Sequence, residues 1–451
     1  MIEKKYNTEL FNLFESNIDE INEFSSPIMN KFRKNAFDKF KEQGIPTKKD
    51  ENYKYTDLAD VFSKDYNVSF KPIELDINIE EVFKCDVLNL DSHLTVLSRG
   101  KYIESERIKT LDNGVIIASM IEASDKFPDI FEKYYNTSAI KSNDSLTNLN
   151  TAFSQDGTFI YIPKNVVTDK PIQIVDLLLD EKGYFSNTRN LIIAEKGCKA
   201  EIILCDDSLA MAEFLTNTVT EIFIGENAEL EFYKLQNQHN EANNLAATYV
   251  NQERDSRYTS GVFSLQSGLI RNNVYVNMNG EGCENNIYGL ALPDKNQHTD
   301  NYLYINHAKP NCNSKQLFKT VLDNFATGAF NGTVYVAKDA QNTNAEQTNN
   351  NILLTNTAKV KTKPQLIIYA DDVKCTHGAT IGQLDEEAMF YMRARGIPRK
   401  EARMLMLYAF AYDVIKEVKI ESLRNNLEDL TQRRLNGELS LCKNCAVRVI
   451  R

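Results

Sequence analysis

Asn190–Cys205, "NLIIAEKGCKAEIILC", and Glu221–Leu235, "EIFIGENAELEFYKL", share one plan. A strand-like run rich in Ile, Leu and Phe enters a short glycine-bearing turn. An Ala-Glu pair follows, and a second strand-like run leaves. The pairs Ala200–Glu201 and Ala228–Glu229 lie 28 residues apart, within the range of one coil of a solenoid. Runs of the same kind recur at Gly157 ("GTFIYIPKNVV") and Arg271 ("RNNVYVNMNGEG"), each closed by Gly, Asn or Asp. From about 85 to 372 helical periodicity is nearly missing. So many short strands with short breaks give a sandwich, a barrel or a solenoid, and the echo favours the solenoid.

On either side the period changes. Leu10, Leu13 and Phe14 share a helical face. Pro27 suits a first turn, Ile28, Phe32, Ala36 and Phe40 recur every four residues, and Gly44 with Pro46 stops the helix. From Leu384 helices return. Asp385 caps "EEAMFYMRAR", Gly396 ends it, and Pro398 opens a second helix with Leu405, Tyr408, Ala409, Tyr412 and Ile415 on one face. Leu423, Leu427 and Leu430 begin a third. The expected organisation is therefore a helical unit over 1–84, a strand-rich core over 85–383 and a helical unit over 384–451. Open solenoid ends expose strand edges, and the flanking helices are expected to cover them.

Composition narrows the function. The 451 residues carry 52 Lys and Arg against 63 Asp and Glu, a net charge of −11, which disfavours nucleic acid and anionic membrane surfaces. The longest apolar run, Met404–Tyr412, has nine residues, where a membrane span needs about 20. The N-terminus lacks a signal-peptide core. A soluble cytoplasmic protein with free thiols is expected from the scattered cysteines 85, 198, 205, 283, 312, 375, 442 and 445. No phosphate-binding loop, dinucleotide fingerprint or hydrolase motif appears, so independent turnover of a small molecule has little support.

Three constellations remain. In "DDVKCTHGAT" Cys375 and His377 are two apart, on one side of a strand, and both side chains suit zinc, iron or copper. Two ligands do not complete a site, so others must come from elsewhere, from a second chain or from sulfide; a buried thiol beside a structural histidine is the plainer alternative. Cys442 and Cys445 form a lone Cys-x-x-Cys, half a metal site, a redox pair or two tail thiols. His298 and His307 flank a strand-like run and are read as structural before metal-binding.

The stretch from "FNGTVYVAKDAQ" at Phe330 through "VKCTHGATIGQLDEEAMFYMRARGI" closely resembles the SufB/SufD family of iron–sulfur cluster assembly proteins. "HTDNYLYINHAKPNCNSKQLFKTVL" and "ENYKYTDL" extend the likeness, with Tyr53 where the family usually carries Trp. The Cys-x-His-Gly-Ala-Thr pattern is similar to the SufD branch. The resemblance implies a right-handed parallel β-helix between helical domains, and a non-enzymatic scaffold subunit partnered by SufB and the ABC ATPase SufC. It implies a transient iron–sulfur cluster at the SufB seam near His377, with Cys375 matched beside it, sulfide arriving indirectly from a cysteine desulfurase, and ATP held by SufC. SufC docking would fall on the C-terminal helices, with Leu384, Phe390, Tyr391, Arg395, Leu405, Tyr408 and Phe410 as candidates. Alternatives are a SufB-like scaffold or homodimer that binds a cluster alone, and a β-helix adaptor without a metal role. A flavin is left open.

Overall fold

The computed structural model describes residues 2–72, 90–180 and 182–437. Helices α1 (Ile2–Glu23), α2 (Pro27–Gln43) and α3 (Ala59–Phe62) open the chain. Ser26 caps α2 by accepting from the Ile28 amide at 3.1 Å, and Gly44 ends it at φ 68°. Strands β1 (His93–Ser98), β2 (Lys101–Tyr102), β3 (Ile108–Thr110) and β4 (Ile116–Ser119) come next. Helices α4 (Met120–Lys126), α5 (Pro128–Tyr134) and α6 (Ser145–Phe153) then interrupt the strand-rich middle, against the reading of its periodicity.

The coils proper follow. They comprise β5 (Thr158–Ile162), β6 (Ile172–Leu178), β7 (Phe185–Ala194), β8 (Lys199–Ser208), β9 (Phe214–Ile224), β10 (Glu229–Asn237), β11 (Ala242–Gln252) and β12 (Arg257–Gln266). They continue as β13 (Leu269–Met278), β14 (Glu284–Ala291), β15 (His298–His307), β16 (Asn313–Leu322), β17 (Thr327–Val336), β18 (Thr343–Leu353), β19 (Lys359–Ile368) and β20 (Val373–Gly382). Even strands from β6 to β20 stack in parallel in one sheet, and odd strands from β5 to β19 in the other. The protein is a mainly β, parallel β-solenoid with helices at both termini.

One corner explains the repeat. Gly197, Asn227, Asp255, Gly282, Asn311 and Asn342 all have positive φ, between 56° and 72°, and each lies two residues or fewer before an even strand. Only Gly, Asn and Asp enter that conformation cheaply. Each is followed by a small residue turned inward: Cys198, Ala228, Ser256, Cys283, Cys312 and Thr343 are all buried. The left-handed residues bond coil to coil, as in Gly197 N to Glu226 O at 2.8 Å and Asn311 N to Gln341 O at 2.9 Å. The structural partner of Ala200 is therefore Leu230, 30 residues on, and not Ala228. The Ala-Glu echo marks the right turn with the wrong register.

Helices α7 (Glu386–Ala394), α8 (Arg399–Ile415) and α9 (Glu421–Leu435) close the described chain. Asp385 caps α7, accepting from the Glu387 and Ala388 amides at 2.8 and 3.2 Å. Contrary to the expectation that they close the solenoid ends, the described terminal helices leave the last coil, β19 and β20, uncovered. Leu407, Ala411, Val414, Ile415, Leu423 and Leu427 lie flat on the outer face of the even sheet, against Tyr233, Phe263, Tyr288 and Leu290. Phe14, Phe37, Tyr53, Leu149 and Phe153 cover the outer face of the odd sheet, against Phe185, Leu215 and Leu245. Covering two apolar sheet faces removes more apolar area from water than closing one narrow end. Among the described residues no helix is long and apolar enough to cross a membrane.

Candidate functional site

The helices leave the last coil bare. Strand β20 pairs only with β18, and β19 only with β17, so among the described residues each offers a ten-residue ladder of free backbone groups. Most of β20 is exposed. Such an edge is a template for another chain.

Cys375 and His377 stand on this edge. Cys375 is in register with Ala345, and His377 with Gln347. Both partners are fully buried in the solenoid interior, so the two side chains share the inner side of the open coil. They differ in environment. Cys375 is half-buried against the cluster of Val334, Val336 and Ala345. Burial pushes its thiol up, so it is protonated near neutral pH and a poor ligand until a metal displaces the proton. His377 is exposed. Among the described residues no group of three or more His, Cys, Asp and Glu side chains could hold a metal ion. Among the described residues Cys375 and His377 therefore stand as a pair, with no third such side chain grouped with them.

The other candidates separate. His298 Nδ1 and Nε2 meet Thr327 at 2.7 Å and Thr56 at 3.0 Å, and His307 Nε2 meets Ser314 at 2.9 Å. Burial lowers His307 to about 4, and both rings are structural. Cys442 and Cys445 lie outside the described residues. Among the described residues Cys198, Cys205, Cys283, Cys312 and Cys375 form no disulfide.

The C-terminal candidates divide into two sets. Leu384 and Phe410 pack into the helix–sheet core, where Lys319 lies over the Phe410 ring at 4.4 Å and pairs with Asp413 at 2.6 Å. Tyr408 donates to Glu428 on α9 at 2.8 Å. Phe390, Tyr391 and Leu405 are 73%, 60% and 52% exposed, with Arg395 bonded to the Tyr391 hydroxyl at 2.6 Å. The apolar α8 face read from the sequence lies mostly away from the solenoid. Ala402, Leu407, Ala411, Val414 and Ile415 are buried, while Leu405, Ala409 and Tyr412 point outward. Helix α8 is apolar on both sides, and the described residues cover one of them.

Sequence reading also misses two buried networks. Arg271 pairs with Asp300, donates to Asn52 O at 2.7 Å and to Asn273 Oδ1 at 2.8 Å, and lies 4.6 Å from the Tyr53 ring centre. Tyr53 donates to Asp144 at 2.7 Å, and Thr56 donates to Asp300. The "ENYKYTDL" segment is thereby locked to β13 and β15. Inside the solenoid Lys234 pairs with Asp206 at 3.2 Å, beside Asp176, which accepts from Thr188 at 2.9 Å. Burial first, then Asp206, raise Asp176 to about 7. The sequence signal for both was a charge at an inward or sheet-facing strand position, visible only once the register is known.

Comparison with known proteins agrees over most of the chain. Residues 177–410 match the model of the SUF system FeS cluster assembly, SufBD core domain, and residues 4–174 match the SufBD protein N-terminal region. The iron–sulfur cluster assembly protein SufD of Escherichia coli is 32% identical over 397 residues, covering 87% of this chain and 90% of the relative. A SufBD family protein of Synechocystis is 29% identical, covering 89% and 90%. SufD of Bacillus subtilis is 27% identical, covering 72% and 75%. The two-sheeted solenoid, its open Cys-x-His coil and these matches together establish that the chain belongs to the SufB/SufD family of the SUF system and has a role in iron–sulfur cluster assembly.

Proposed function

We propose that this chain is the SufD-like, non-catalytic subunit of a cytoplasmic scaffold formed with a SufB-like protein and a SufC-like ABC ATPase. The observation that supports it is the bare final coil, which presents His377 and Cys375 beside an unpaired strand edge. A SufB-like solenoid end would pair with that edge. The nascent cluster, the cargo of the process, would form at the seam. His377 supplies a neutral nitrogen ligand from this side and Cys375 a reserve thiol. Sulfur and thiolate ligands come from the partner and, through it, from a cysteine desulfurase. A loosely held cluster can be passed on.

The units 1–84, 85–383 and 384–451 then have separate tasks. The first braces the odd sheet, the second carries the seam, and the third holds the ATPase through Phe390, Tyr391, Arg395 and Leu405. ATP stays on SufC. Movement of the ATPase pair reaches the solenoid through the α8 contacts of Lys319, Asp413 and Phe410, and so shifts one solenoid against the other.

The test is cluster formation in the reconstituted three-protein complex, followed by visible absorbance and circular dichroism. His377→Ala is expected to abolish most cluster formation while leaving the complex assembled. Unchanged cluster formation favours an adaptor without a metal role. A stable cluster on the isolated chain, lost on Cys375→Ser, favours a self-sufficient scaffold or homodimer.

A further inference from the structure

The interior beneath His377 is built of amides. Register places Gln316 on β16, Gln347 on β18 and His377 on β20 in one column. Neighbouring strands lie about 4.8 Å apart, and partners in a parallel ladder face the same side. Gln316 and Gln347 are completely buried. Gln347 Nε2 donates to Gln316 Oε1 at 3.4 Å. The Gln347 Oε1 atom has no donor among the described residues. A buried acceptor left empty is costly. Gly332 on the facing strand β17 makes room for this amide, since a Cβ there would lie 2.4 Å from Gln347 Nε2. The next group up the column is the imidazole.

We propose that Gln347 is a positioning residue for His377. When the exposed ring turns inward, the empty Gln347 oxygen accepts one imidazole N–H, which fixes the tautomer and turns the other nitrogen, with its lone pair, toward the open end of the coil. Gln316 holds the Gln347 amide from below. Histidines that bind metals nearly always donate their second N–H to such an outer partner, and its loss costs about 10–100-fold in affinity or activity. A mobile exposed ring would otherwise lose rotamer and tautomer freedom at the moment of ligation.

This deepens the proposed function and rests on it, but the tautomer can be read without a cluster. The probe is the full chain, metal-free and at mildly alkaline pH, with ¹⁵N-labelled histidine. Two-bond ¹H–¹⁵N spectra are assigned by His377→Ala. One dominant His377 tautomer is expected in the wild type and in Gln347→Glu, which keeps an acceptor. Gln347→Leu should show the tautomer mixture of a solvated imidazole, and about 10–100-fold slower cluster formation in the complex. If Gln347→Leu does not fold, Gly332→Ala displaces the same amide and should give the same mixture. A mixture in the wild type, or an unchanged single tautomer in the variants, overturns the proposal. If the tautomer responds as expected but His377→Ala still builds clusters, the positioning stands and the seam reading fails.

Discussion

Asp300→Asn tests how the N-terminal segment is held. Asp300 and Arg271 are both almost fully buried. Burial alone would lower the pKa of Arg271, and Asp300 with the neighbouring tyrosines more than offsets it. The substitution keeps size and an acceptor oxygen but removes the counter-charge. Leaving one partner of a buried pair uncompensated costs about 3–5 kcal/mol. Arg271 keeps its bonds to Asn52 O and Asn273 Oδ1, so the lower figure applies. At about 1.4 kcal/mol per tenfold, 3 kcal/mol is roughly a 150-fold change in opening. The loss should be local, because Asn52, Tyr53 and Thr56 are the groups that leave. Native-state hydrogen exchange reads it directly. The Tyr53 and Thr56 amides, bonded to Asp50 O at 2.8 Å and Tyr53 O at 2.9 Å, should exchange about 150-fold faster, while β9 and β11 amides do not change. Adding Arg271→Met removes the lone charge and should restore much of the protection. Unchanged exchange at Tyr53 and Thr56 in Asp300→Asn would refute the lock, as would an equal loss throughout the solenoid.

Other outcomes follow from the same geometry. Asp176, raised to about 7 by burial and Asp206, binds its proton in the folded chain but not in the unfolded one between about pH 4 and 7. Stability from this group therefore falls as pH rises through that window, and Asp176→Asn should raise the melting temperature at pH 8 but not at pH 4. Leu407→Ala, in the helix–sheet core, should cost about 2–5 kcal/mol, measured by thermal or urea unfolding of the helical unit. Leu405→Ser, two residues away on the bare face, should leave the melting temperature unchanged and weaken capture of the ATPase in a pull-down. Cys375→Ser should slow cluster formation less than His377→Ala, because burial keeps the thiol protonated.

The candidate site was legible as a strand carrying Cys375 and His377 two residues apart, since period two is a local property of extended chain. Its support was not. Gln347 lies 30 residues before His377, and nothing in "EQTNNN" says which coil stacks above it. Which side of α8 meets the solenoid was not legible for a related reason. "RMLMLYAFAY" is apolar all round, so periodicity cannot choose between the side that meets β14 and β16 and the side left for a partner.

What the sequence by itself determines here is the coil. A left-handed Gly, Asn or Asp followed by a small inward residue recurs from Gly197–Cys198 to Asn342–Thr343, and both demands arise from sterics within a few bonds of the chain. What only the tertiary structure decides is how far apart in sequence the stacked partners lie, where the helices settle and which coil stays open. Those outcomes depend on apolar area and buried charge gathered from residues as distant as Tyr53 and Arg271, or Phe410 and Lys319, and no local pattern encodes such meetings.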